Sequence, residues 1–126
     1  MQREQRRVPR LVGATIGALG VLLPNLSMAE TQDGVYALCV ERETPETCRC
    51  ASERLKPAIT PDEYGIYHDI GIVFAQMRSD GKGYVPAWDE ASERVATQTG
   101  TSVGELRTRT NRIGRAHRDA IKACGG

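Results

Sequence analysis

A compact all-α bundle of about five short helices, led by an αα-hairpin and braced by two disulfides, is the fold that this sequence predicts. Three observations carry that expectation. Apolar residues recur at i, i+3 and i+4 along most of the chain after residue 33, which is the spacing of one helix face. Helix-start chemistry, an Asp, Ser or Thr followed by a proline or an acid, recurs at intervals. No segment alternates apolar and polar residues as a half-buried strand would.

The elements follow in order. Asp33 is the expected N-cap of a short first helix bearing Tyr36, Cys39 and Val40. Thr44-Pro45-Glu46 starts a second helix through Cys48, Ala51 and Leu55, with proline at the tolerated first position and an acid in the first turn. Pro57 and Pro61 bracket its exit. Thr60-Pro61-Asp62-Glu63 repeats the signal for a third helix, whose core face is Ile66, Tyr67, Ile70, Val73, Phe74 and Met77. Ser79-Asp80-Gly81-Lys82-Gly83 is turn chemistry. A fourth helix is expected from near Pro86 to Gly100, with Trp88, Ala91, Val95 and Ala96 inward. Ser102 and Glu105 form a capping box for the last helix, which runs to Cys124. Its inner arc holds Val103, Leu106, Ile113, Ala120 and Ile121.

Ahead of this domain stands a leader. Arg3, Arg6, Arg7 and Arg10 precede an uncharged apolar stretch from Leu11 to Leu23, then Pro24 and the small residues of Ser27-Met28-Ala29. That order is a signal-peptide pattern with cleavage expected after Ala29, leaving a single domain over 30–126. The alternative is an uncleaved anchor, against which the stretch falls short of the roughly 20 residues of a bilayer span. The expected location is therefore periplasmic or secreted.

The 126-residue chain has 17 Lys+Arg and 16 Asp+Glu, a formal charge of +1, which gives no electrostatic case for nucleic-acid binding. Without residues 1–29, 13 basic and 15 acidic side chains remain. They are segregated: 30–69 holds nine acids and four bases, 70–126 six acids and nine bases. So small a domain buries a thin core, and covalent bracing is expected.

Four cysteines in an exported chain are most simply two disulfides. On a helix Cys48 and Cys50 point about 200° apart, so each serves a different neighbour. With the hairpin turn placed at Thr44-Pro45, Cys39 and Cys50 lie equally far from it and are expected to pair, leaving Cys48 for Cys124. The rival map, Cys39 with Cys48 and Cys50 with Cys124, requires the two helices to be offset by about half a turn. A thiol and histidine metal site, drawing on His68 and His117, is the competing use of these residues.

Other motifs carry less. Asp80 to Val85 resembles the middle of an EF-hand loop, but the first and fifth ligand positions fall on Arg78 and Lys82, where oxygen ligands are required. A glycine-rich turn is the better reading. Gly100-Thr101-Ser102-Val103-Gly104 matches the G-x-S-x-G nucleophile elbow by letter, yet lacks the preceding strand and the large sheet that the motif needs. His68 and Asp69 are helix neighbours facing different directions, so they form no dyad. His117 shares the inner side of its helix with Leu106 and Ile113 and reads as a packing residue.

The outer arc of the last helix holds Arg107, Arg109, Arg112, Arg115, Arg118 and Lys122. Of these, Arg107, Arg112, Arg115, Arg118 and Lys122 are the expected contacts for an acidic partner, a role weighed against that of a plain solvated face. No catalytic residue, metal ligand or cofactor is assigned. The expected function is that of an exported, non-enzymatic helical protein binding or supporting another envelope protein, with no membrane span in the mature chain. A metal-handling protein, and behind it a small enzyme, are the alternatives.

Overall fold

Four of the five helices begin on the oxygen-bearing side chain that the sequence offers. The computed structural model describes residues 33–126 and Gly20; the leader and its cleavage site, Gly20 apart, lie outside the described residues. Helix α1 (Gly34–Val40) is capped by Asp33, which accepts from the Val35 N–H at 3.0 Å. Helix α2 (Pro45–Leu55) starts on Thr44, which accepts from Thr47 N–H, and runs into a 3-10 turn over Lys56–Ala58. Helix α3 (Pro61–Ser79) has the full capping box: Thr60 accepts from Glu63 N–H and the Glu63 carboxylate accepts from Thr60 N–H. Helix α5 (Val103–Ala123) is capped by Ser102, which accepts from Glu105 N–H at 3.1 Å.

Helix α4 (Tyr84–Thr99) starts two residues before the expected Pro86. Gly83 stands at its N-cap, and proline is tolerated in a first turn because its missing N–H would have had no partner there. Gly100 ends α4 with φ 69°, the left-handed conformation that closes a helix at little cost for glycine alone. The described residues contain no strand.

Helix α3 is the centre of the bundle, with α1 and α4 packed along it, while α5 packs chiefly on α2. One cluster joins α3, α4 and the start of α5 through Ile70, Phe74, Met77, Ala91, Val95 and Leu106. A second joins α1, α2, α3 and α5 through Val35, Leu55, Tyr67 and Ile113. Leu38 and Trp88 pack against both, so Trp88, expected wholly inward, is a half-buried bridge between them.

The α1–α3 crossing rests on two glycines. A methyl on Gly34 would fall inside the His68 carbonyl oxygen, and one on Gly71 inside the Gly34 carbonyl. Only hydrogen in place of a side chain lets the two backbones come this close.

The disulfides are Cys39–Cys48 and Cys50–Cys124, with Cα–Cα distances of 5.6 and 5.9 Å. This corrects the expected Cys39–Cys50 and Cys48–Cys124 pairing in favour of its rival. The physical reason is the position of the turn. Helix α1 ends at Val40 and α2 begins at Pro45, so the connection is residues 41–44, centred between Arg42 and Glu43 rather than on Thr44-Pro45. That places Cys48, in the first turns of α2, opposite Cys39. Cys50, on the other flank of α2, meets Cys124 where α5 ends. No cysteine is free, and among the described residues no helix is long and apolar enough to cross a membrane.

Candidate functional site

The structure divides the basic arc of α5 in two. Arg112 forms an ion pair with Glu63, a carboxylate only 7 % exposed at the start of α3. Arg107 reaches Asp89 of α4 at 3.4 Å, in an exposed pair. Both side chains are therefore occupied within the fold. Arg115, Arg118 and Lys122 have no ion-pair partner among the described residues and converge on a groove.

The groove consists of two adjoining hollows of about 310 and about 360 Å³ that share Leu38, Tyr67, Tyr84, Gly114 and Arg118. Tyr67, Tyr84 and Trp88 give its floor three rings. Trp88 and Tyr67 meet edge to face at 6.5 Å between centroids, and behind them the core ring of Phe74 meets Tyr84 at 5.0 Å and Trp88 at 6.3 Å. Four helices supply it: Leu38 from α1, Tyr67 from α3, Tyr84 and Trp88 from α4, and Gly114 from α5. Glycine at 114 leaves the floor open, since a methyl there would make only ordinary contacts with Arg118 and the Tyr67 hydroxyl.

The rim is cationic on both sides. Arg115 and Arg118 line one hollow, and Arg118 and Lys122 the other. Across from them Arg42 lies over the Tyr84 ring, 4.5 Å from its centroid, a cation–π contact that holds the guanidinium at the groove. Glu43 is the one acidic side chain lining either hollow, and Gly126, the last residue, lines the second beside it. Four cationic side chains against one acidic side chain make a local positive potential that the near-neutral whole chain conceals.

His117, 3 % exposed, lies at the base of the second hollow. Its Nδ1 is 3.2 Å from the Tyr67 hydroxyl, and its ring stands edge-on to Tyr67 at 5.5 Å. Burial lowers the His117 pKa to about 4, so the imidazole is neutral at physiological pH; the charge of Asp33 opposes that shift only weakly. The same burial raises the Tyr67 phenol, which remains a neutral hydroxyl. His117 Nε2 has no hydrogen-bond partner. The packing role expected of His117 is what the structure shows, with the addition of the Tyr67 contact from a helix 50 residues away.

The remaining motifs resolve into structure. His68 Nδ1 accepts from the Gly34 N–H at 3.0 Å and lies 3.5 Å from Asp33, whose other oxygen accepts from the Tyr64 hydroxyl at 3.0 Å. This small polar clamp pins the start of α1 to α3, and Asp69 takes no part in it. In the loop that resembles an EF-hand, Arg78 pairs with Glu41 at 2.8 Å and donates to the Lys82 carbonyl, while Lys82 pairs with Glu90. The Ser102 hydroxyl is engaged as a helix cap. All four sulfurs are in disulfides, and the described residues hold no group of three or more potential metal ligands.

The basic arc is legible in the sequence and the groove is not. Periodicity alone places Tyr67 and Trp88 in the core and gives Tyr84 and Leu38 no role. Only the aromatic content of residues 64–88, five of the chain's six aromatics, hinted that a ring cluster would form. Comparison with protein-family models, with curated proteins and with solved structures found no match.

Proposed function

We propose that this chain is an exported, non-enzymatic binding module that engages another extracytoplasmic protein through the basic side of α5. The observation that carries this reading is the set of Arg115, Arg118 and Lys122, unpaired among the described residues and gathered over an aromatic floor. A structure that needed α5 only as a solvated face would have no reason to keep cations beside the half-buried rings of Tyr84 and Trp88. Interfaces favour Arg and aromatic side chains, whose broad, stiff surfaces recover contact area at modest entropic cost.

Export is supported by the basic, apolar and small-residue order of residues 1–29 together with two disulfides, which persist in oxidising compartments. Metal handling is the weaker reading, because its thiolates would first have to be released from disulfides.

The test places a photo-crosslinking amino acid at Asn111, an exposed position beside the groove, in cells that export the protein. We expect one acidic extracytoplasmic polypeptide to be captured, and to be lost from an Arg115→Glu/Arg118→Glu variant of unchanged thermal midpoint. Capture that survives the reversal would return α5 to plain surface. N-terminal sequencing of the exported chain should begin at Glu30.

A further inference from the structure

The cations of the rim have a spacing that selects a ligand. Arg118 and Lys122 are four residues apart on α5, about 6 Å along its axis at 1.5 Å per residue. In an extended polypeptide, residues i and i+2 lie on the same side and about 7 Å apart. Two carboxylates flanking one intervening residue therefore match the two cations in register. The intervening side chain points the other way, off the rim and toward the rings. Arg115, one turn earlier, lies within reach of a third acid.

The floor has a matching character. Leu38, Tyr67 and Tyr84 present apolar and ring surface between the α5 cations and Arg42 in one hollow, and Trp88 joins them in the other. Hollows of about 310 and 360 Å³ are each at the small end of ligand sites and fit a few side chains rather than a folded surface. They share five lining residues, so together they form one continuous space. A bare anion would satisfy the rim and leave the rings exposed; an apolar ligand would leave four cations to be desolvated without partners.

We infer that the groove binds an extended segment of a partner polypeptide in which an aromatic side chain is flanked by two acids, acid–aromatic–acid, with the acids on Arg118 and Lys122 and the ring against Leu38 and Tyr84. The inference rests on the proposed docking role of α5 and names what docks there. His117 supports it indirectly. Held neutral by burial, it adds no charge at the base of the groove, so the potential of the groove comes from Arg and Lys and is constant through the neutral range.

The experiment titrates the mature protein with three capped peptides, Gly-Asp-Phe-Asp-Gly, Gly-Asp-Ala-Asp-Gly and Gly-Asn-Phe-Asn-Gly, read by amide shifts at Gly114 and Arg118 and by Trp88 fluorescence. We expect the first to bind at least about tenfold more tightly than either other, with an affinity that falls as salt is raised. Arg115→Glu/Arg118→Glu should abolish it. Gly114→Leu, which fills the floor without altering charge, should do the same while the thermal midpoint is kept. Equal binding of the Ala peptide would overturn the acid–aromatic–acid assignment and leave the docking role of α5 standing. Binding by none of the three, with crosslinking at residue 111 retained, would also overturn this inference alone; loss of both would overturn the two together.

Discussion

Glu63 ties the beginning of α3 to the middle of α5. One of its oxygens accepts from the Thr60 N–H at 3.0 Å and the other pairs with the Arg112 guanidinium, 49 residues away. A residue that reads as half of a local capping box is thus also a tertiary link. Its near-complete burial makes the loss of either partner consequential.

Glu63→Ala should remove both contacts and destabilise the fold by about 1–2 kcal/mol, while Glu63→Gln, which keeps an oxygen for the Thr60 N–H, should cost less. Arg112 is largely exposed, so a double-mutant cycle with Arg112→Ala should give a coupling of no more than about 1 kcal/mol. Urea unfolding of the four proteins measures it. Reversal of Arg112 would instead set two carboxylates together, which is why Arg115 and Arg118 are the positions for binding tests.

The two glycines at the α1–α3 crossing should be intolerant of a single methyl. Gly34→Ala and Gly71→Ala are each expected to destabilise by at least about 2 kcal/mol, since rigid backbone must move to admit the methyl. Gly65 shares α3 with Gly71 but has open space around it, so Gly65→Ala should stabilise by about 0.5–1 kcal/mol through helix propensity. Equal effects at the three sites in thermal unfolding would refute the close approach.

Stability should fall on mild acidification through His117. Its folded pKa, about 4, lies below the usual 6.5, so between these values the unfolded chain binds the proton and the folded one does not. The contribution is fully present above about pH 6.5 and is lost as pH falls toward 4, amounting to about 3 kcal/mol. Denaturant titrations at pH 7, 6 and 5 should show the slope, and His117→Phe should flatten it. The upper part of the window matters most, because carboxylates contribute below it.

The Cys50–Cys124 bridge spans 74 residues and the Cys39–Cys48 bridge only nine. By the chain-entropy argument, replacing the first pair with alanine should cost about 4.5 kcal/mol and the second about 3 kcal/mol. Tryptic digestion without reduction cuts after Arg42 and Arg49, separating all four cysteines. Mass analysis should find the peptide ending at Arg42 joined to 43–49, and the peptide beginning at Cys50 joined to the one carrying Cys124. A 43–49 peptide joined to Cys124 would restore the other map.

What the sequence determined by itself was local. Asp33, Thr44, Thr60 and Ser102 start their helices because a side-chain oxygen and an N–H two or three residues on meet whatever the rest of the chain does. The core faces of α3 and α5 were legible for the same reason, since the period of 3.6 is a property of the helix alone. The tertiary structure decided everything that depends on where two helices are set against each other. A shift of two residues in the centre of the α1–α2 turn exchanged the partners of Cys48 and Cys50. The Glu63 carboxylate gave Arg112 a partner within the fold while leaving it exposed. The meeting of Leu38, Tyr67, Trp88 and Gly114 from four helices made a groove that no one helix contains. Offsets of this kind are settled by packing across tens of residues of chain, where spacing along one helix carries no information about the next.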